Sequence, residues 1–102
     1  NNPNTRMWIL EVNGIPAGQI RWDCKGKEAI LDYSIIDSYR GKGIGKELIK
    51  LSIEKLYKIW IGVSLIAIVK DNNIASCKTI IAAGFEQFNS IKPGYLHFKF
   101  KL

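Results

Sequence analysis

The spacing of apolar positions switches between a strand-like and a helix-like rhythm along the chain. Met7 to Val12, Met-Trp-Ile-Leu-Glu-Val, is rich in aromatic and branched residues and reads as a strand. Asn13-Gly14 follows, a strong hairpin signal because both residues tolerate positive φ. Pro16 to Asp23 is the return strand, Lys25-Gly26-Lys27 a turn, and Glu28 to Ile36 a third strand, which together predict an antiparallel meander. After a polar, glycine-rich stretch, Ile44, Leu48, Ile49, Leu51, Ile53 and Leu56 recur at helical spacing between charged residues, predicting a helix of about four turns. Val63 to Val69 is nearly all apolar, as expected of a strand buried on both faces. Asp71-Asn72-Asn73 offers an N-cap for a second helix through Ala83, closed by Gly84. Phe85 to Phe88 reads as a short strand. After Pro93-Gly94, Leu96, Phe98, Phe100 and Leu102 alternate with His97, Lys99 and Lys101 in a last strand.

The predicted order is therefore β-β-β-α-β-α-β-β, a mixed α/β (α+β) fold with a mostly antiparallel central sheet. With 102 residues it is one domain, long enough to bury a core. Composition adds little to that picture: 47% hydrophobic and 24% charged is globular, not disordered. The apolar run Trp60 to Val69 is too short to span a bilayer and is broken by Gly62 and Ser64. The start, Asn1-Asn2-Pro3-Asn4, has no signal-peptide pattern. Cys24 and Cys77 lack metal-site spacing and are too few for a disulfide scaffold, so free thiols and a cytoplasmic location are expected. No metal, membrane or nucleic-acid partner is expected. The net charge of +6 favours an anionic ligand, but its lysines are scattered and form no nucleic-acid-binding block.

The candidate chemistry lies in Asp37-Ser38-Tyr39-Arg40-Gly41-Lys42-Gly43-Ile44-Gly45, where a strand runs through a glycine loop into a helix start. The first N–H groups of a helix have no internal acceptor, and the dipole adds positive potential there. Gly41, Gly43 and Gly45 let a ligand approach the backbone, and Arg40, Lys42 and Lys46 add charge. A Walker loop does not fit: three residues separate Gly41 from Gly45-Lys46, and Glu47 follows. The dinucleotide fingerprint fails too, because Lys46 stands where its third glycine belongs and an antiparallel meander precedes the loop.

Ile35 to Gly45 resembles the acetyl-coenzyme A signature of the GNAT superfamily of N-acetyltransferases, an apolar strand end followed by Arg/Gln-x-x-Gly-x-Gly/Ala, filled here by Arg40, Gly43 and Gly45. Val69-Lys70-Asp71-Asn72-Asn73-Ile74-Ala75-Ser76 with Gly84-Phe85 is similar to the family's strand-Asn-x-x-Ser-helix-Gly-Phe segment. The resemblance implies acetyl-coenzyme A as cosubstrate and direct attack by an amine, without a covalent enzyme intermediate. Backbone from Arg40 to Lys46 (Arg40, Gly41, Lys42, Gly43, Ile44, Gly45, Lys46) would hold the pyrophosphate. Ser34, Ile35 and Ile36 would bond the pantetheine amides like an added strand, a backbone N–H near Ile35 would stabilise the oxyanion, and Asn73 would hydrogen-bond the pantetheine arm. The strand ending at Ile36 and Val63–Val69 should splay apart to admit the thioester.

Two family features are missing. The tyrosine that commonly serves as general acid is replaced by Ile80, leaving Ser76 and Cys77 as candidates near the sulfur, each alternatively a cap or packing residue. For the general base, Asp32 is the first candidate and Glu11 the second, with Asp32 alternatively in a cross-strand bond. His97 is expected to be surface or structural. Family domains also begin with a strand and two helices, about fifty residues by ordinary element sizes, that are not matched here. A truncated N-terminus, and a homodimer through an exposed sheet edge or apolar face, are therefore expected. The run Gly18 to Ile35 resembles bacterial acetyltransferases acting on nucleotide-linked amino sugars of nonulosonic acid pathways. Acetylation of a ribosomal protein N-terminus and a non-catalytic acyl-coenzyme A-binding module are the alternatives.

Overall fold

The computed structural model describes residues 3–39, 41, 43–89 and 92–100. Six strands form one sheet: β1 (Thr5–Val12), β2 (Ile15–Lys25), β3 (Glu28–Ile35), β4 (Ser64–Lys70), β5 (Phe85–Phe88) and β6 (Tyr95–Phe100), in spatial order β1-β2-β3-β4-β6-β5. Helix α1 (Ile44–Leu56) joins β3 to β4, and α2 (Ile74–Ala82) joins β4 to β5. The element order is the one expected from the sequence. β3 and β4 pair in parallel, the long crossover through α1 making this possible, and the other four pairings are antiparallel. The β1–β2 turn takes positive φ at both Asn13 (53°) and Gly14 (79°), as the two-residue hairpin requires.

Register and burial show that both helices pack on the same face of the sheet. Trp22, Leu31, Leu65, Ala67, Val69 and Phe98 from that face form one core with Leu48, Ile49, Ile53 and Leu56 of α1 and Ile80 and Ala83 of α2. The fully buried Trp22 indole N–H donates to Ser52 Oγ (3.0 Å), whose hydroxyl donates in turn to Ile49 O (2.7 Å). This short chain of bonds ties α1 to β2 and gives the buried Trp22 indole N–H and the Ser52 hydroxyl a partner each. At the far edge, Phe85 and Phe100 meet edge-to-face at 5.4 Å.

Two burial expectations need correction. Leu51 belongs to the helical apolar pattern, yet it is half-exposed, in a shallow groove on the flank of α1 beside Leu10 and Val12 of β1. The β4 strand was expected to be buried on both faces, and on the second face this holds for Ile66 (4% exposed) but not for Ile68, which is 38% exposed. That open face carries the exposed Met7, Ile9, Ile68 and Phe88 beside a polar ladder, in which Thr5 Oγ1 donates to Asp23 (2.7 Å) and Arg21 pairs with Asp23 (3.1 Å) and Asp32 (3.2 Å). Among the described residues no helix is long and apolar enough to cross a membrane.

Candidate coenzyme A site

The parallel β3–β4 ladder is short. It runs from Glu28↔Ser64 to Leu31↔Ala67 and stops, although β3 continues to Ile35 and β4 to Lys70. Beyond Leu31 the two strands no longer pair, as the family resemblance implies, and a gap opens between them. Ile36 N–H donates to Ala17 O (3.0 Å) on the β2 side. Alternation along an antiparallel ladder then turns the peptide groups of Ile35 and Tyr33 away from β2, toward that gap.

On the helix side, the gap continues into a cleft of about 560 Å³, lined by the end of β3, the glycine loop, the first turn of α1 and one face of α2. Gly41 (φ 78°) and Gly43 (φ 76°) are both in the left-handed region, and Gly43 is the N-cap of α1. A Cβ built on Gly43 would meet nothing within 4 Å, so the space beside its α-carbon is open to a ligand. No side chain caps α1, and its first bond runs from Glu47 N–H to Gly43 O (3.1 Å). The N–H groups of Ile44, Gly45 and Lys46 therefore have no acceptor within the helix. Gly45 has a different role: a Cβ there would lie 3.3 Å from Thr79 Cγ2 and 3.5 Å from Tyr33 Cε2, so its absence lets α1 start close against α2 and β3. Arg40 and Lys42, expected to add charge here, lie outside the described residues.

Asn73 caps α2, its Oδ1 accepting from Ser76 N–H (3.1 Å), which leaves its amide NH₂ as the donor toward the cleft. Ser76 also lines the cleft, and its Oγ lies 2.9 Å from the Tyr33 hydroxyl across the space between α2 and β3. Cys77, the neighbouring candidate, turns instead against the core. Ile80 is completely buried. Of the remaining candidates, Ser34, Ile35, Gly41, Gly43, Ile44, Gly45, Lys46 and Asn73 all line the cleft, whereas Ile36 stands just outside it, with its N–H committed to Ala17.

Asp32 lies on the opposite face of the sheet. It is the first β3 residue past the last β3–β4 pair, two-thirds exposed and bonded to Arg21, and thus stands beside the gap on its open side. Glu11 is exposed on β1, and His97 packs its ring on Phe88 (5.8 Å) over the open face, outside the cleft. The lining residues missed from the sequence are Tyr33, Tyr39, Ala75, Lys78, Thr79 and Ala82. The α2 part of the lining carries a readable signal: Ala75, Thr79 and Ala82, with the candidate Ser76, are small and recur at helical spacing. Among the described residues, Lys46 and Lys78 are the charged side chains of the lining, and no described carboxylate joins them.

The sequence profile of the acetyltransferase (GNAT) family matches residues 1–85. The chain belongs to the GNAT family. Among curated proteins no sequence relative is found. Solved structures share the family fold. The GNAT domain of S. lividans PAT superimposes with a TM-score of 0.89 at 20% identity, covering 97% of this chain and 61% of that one. AAC(6′)-Ib, in complex with Parmomycin and acetyl-CoA, gives 0.79 at 20% identity over 95% of this chain and 64% of its own. Ribosomal-protein-S5-alanine acetyltransferase from Vibrio fischeri gives 0.71 at 17% identity over 84% and 54%. At such identities the likeness concerns the fold. The GNAT chain described here spans about three fifths of the length of these structures.

Proposed function

We propose that this chain binds acetyl-coenzyme A in the cleft and carries the core of an N-acetyltransferase that acts on a primary amine. The observation that carries the reading is the conjunction of three features: an uncapped helix start with open space at Gly43, a cleft leading from it along the end of β3, and the end of β3–β4 pairing at Leu31↔Ala67. The N–H groups of Ile44, Gly45 and Lys46 suit a diphosphate, with the Lys46 ammonium beside them. The pantetheine arm then runs along the Ile35 and Tyr33 peptides as an added strand, with Asn73 NH₂ donating from the other wall. This places the thioester in the gap, with the cosubstrate on the helix side and the acceptor reaching it from the open face.

Transfer forms a C–N bond at the acetyl carbonyl and breaks the C–S bond, and this chain's residues supply the surrounding proton and charge chemistry. The Ile35 peptide faces the carbonyl oxygen as it gains charge. Asp32, held by Arg21 at the open mouth of the gap, accepts the proton released by the attacking amine. The Tyr33–Ser76 hydroxyl pair donates toward the departing sulfur, replacing the tyrosine that Ile80 displaces from the helix. The likeness of Gly18–Ile35 to nucleotide-linked amino-sugar acetyltransferases makes an amino sugar on a nucleotide the first acceptor to test, with a peptide bearing an N-terminal alanine as the second.

Calorimetry should show coenzyme A binding by the chain, and thiol release from acetyl-coenzyme A should increase when the right amine is supplied. Absence of any coenzyme A affinity overturns the reading. Binding with no amine-dependent thiol release favours a non-catalytic acyl-coenzyme A module, the alternative that the buried Ile80 supports.

A further inference from the structure

We infer that Lys78 receives the 3′-phosphate of coenzyme A, so that the cleft selects coenzyme A over dephospho-coenzyme A. This rests on the coenzyme A reading above and adds to it a second, separate anion seat. Among the described lining residues, two ammonium groups stand on opposite walls, Lys46 in the first turn of α1 and Lys78 in the second turn of α2. Neither forms an ion pair among the described residues, and no described carboxylate lines the cleft to neutralise them.

Their positions divide the labour. Lys46 shares its turn with the N–H groups that suit the diphosphate, so its charge adds to that seat. Lys78 precedes Thr79, whose methyl group marks the point where α2 meets the start of α1 at Gly45. It therefore stands at the same end of the cleft as the diphosphate seat, but one helix away. A ligand spanning both lysines must carry two anionic groups separated by a spacer. In coenzyme A that spacer is the ribose, with the diphosphate on its 5′ oxygen and a phosphate on its 3′ oxygen. Ala75 and Ala82 flank Lys78 on the lining face of α2, so small side chains leave room beside it for the nucleoside. A flexible ammonium with several donors suits a terminal phosphate approached from solvent.

The test is calorimetry of the whole chain with coenzyme A and with dephospho-coenzyme A, repeated for Lys78→Gln and Lys46→Gln. The wild-type chain should prefer coenzyme A by about tenfold, the scale of one exposed hydrogen bond to a charged group. Lys78→Gln, a change at an exposed position, should bring coenzyme A down to the affinity of dephospho-coenzyme A. Lys46→Gln should weaken both ligands together and keep their ratio. The inference is overturned if the wild type does not distinguish the two ligands, or if Lys78→Gln keeps the wild-type ratio. In both cases binding of coenzyme A itself leaves the broader reading standing. Binding of neither ligand by the wild type overturns both.

Discussion

Replacing Gly43 with alanine separates the ligand role of the glycine loop from its folding role. Gly43 sits at φ 76°, where an L residue costs about 1–2 kcal/mol. No contact adds to this cost, because the new methyl group meets nothing within 4 Å. At about 4–8 °C per kcal/mol for a domain of this size, the melting point should fall by about 4–16 °C, with the fold retained. The same methyl group would stand where a diphosphate must approach the N–H groups of Ile44, Gly45 and Lys46. Losing one charge-assisted bond there removes about 1.5–3 kcal/mol of binding, or about 10- to 150-fold in Kd. Gly26→Ala is the matched control: φ is 61°, the space around it is equally open, and it lies in the β2–β3 turn, away from the cleft. Thermal melts read the strain, and calorimetry with coenzyme A reads the site. Both variants should lose stability, and Gly43→Ala alone should lose affinity. Wild-type coenzyme A affinity in Gly43→Ala, with the expected drop in melting point, would refute the placement of the diphosphate at this loop.

The remaining predictions concern the core and the chemistry. Ser52→Ala should cost about 1–3 kcal/mol in urea denaturation by stranding the buried Trp22 N–H, and Trp22→Phe in that background should cost less than it does alone; additive losses would mean the bond carries no weight. Tyr33→Phe should lower kcat by about 10²-fold, the lower range for a general acid, while Cys77→Ala stays near wild type; the reverse ranking would move the proton donor to the thiol. Asp32→Asn should lower kcat/KM by about 10²-fold or more, with the defect shrinking as pH rises and more of the amine is already free. Full activity with an unchanged pH profile would leave Asp32 as nothing more than the partner of Arg21.

The sheet and helices were legible because local signals and packing agree. Asn13-Gly14 sets a turn whose backbone it also suits, and the periodic residues Leu48, Ile49, Ile53 and Leu56 all enter the core. Periodicity failed where burial depends on what lies opposite. Leu51 fits the apolar count of α1 but falls on its flank, half-exposed beside Leu10 and Val12 of β1. A run such as Ser64 to Lys70 shows that a strand is apolar without showing how far along each face it is covered: Ile66 and Ile68 share the second face, and of the two only Ile66 is buried.

The site was legible to the extent that its parts are contiguous in sequence. The glycine loop and the Asn73 cap could be found because backbone geometry dictates residue type over a few positions. What the sequence could not show is pairing across the fold. The Tyr33 hydroxyl meets Ser76 from a residue 43 positions away, and nothing local to either predicts it. Once β3 leaves β4, the alternation of its side chains puts Tyr33 on the helix face and Asp32 on the open face, so adjacent residues address opposite sides of the gap. In the proposed mechanism that split separates the two proton-transfer roles. A donor for the leaving sulfur must stand on the side from which the cosubstrate enters, and an acceptor for the amine proton on the side from which the amine arrives. Two neighbouring strand residues meet both demands only where the sheet is open between them, and the last β3–β4 pair, Leu31↔Ala67, ends one residue before Asp32.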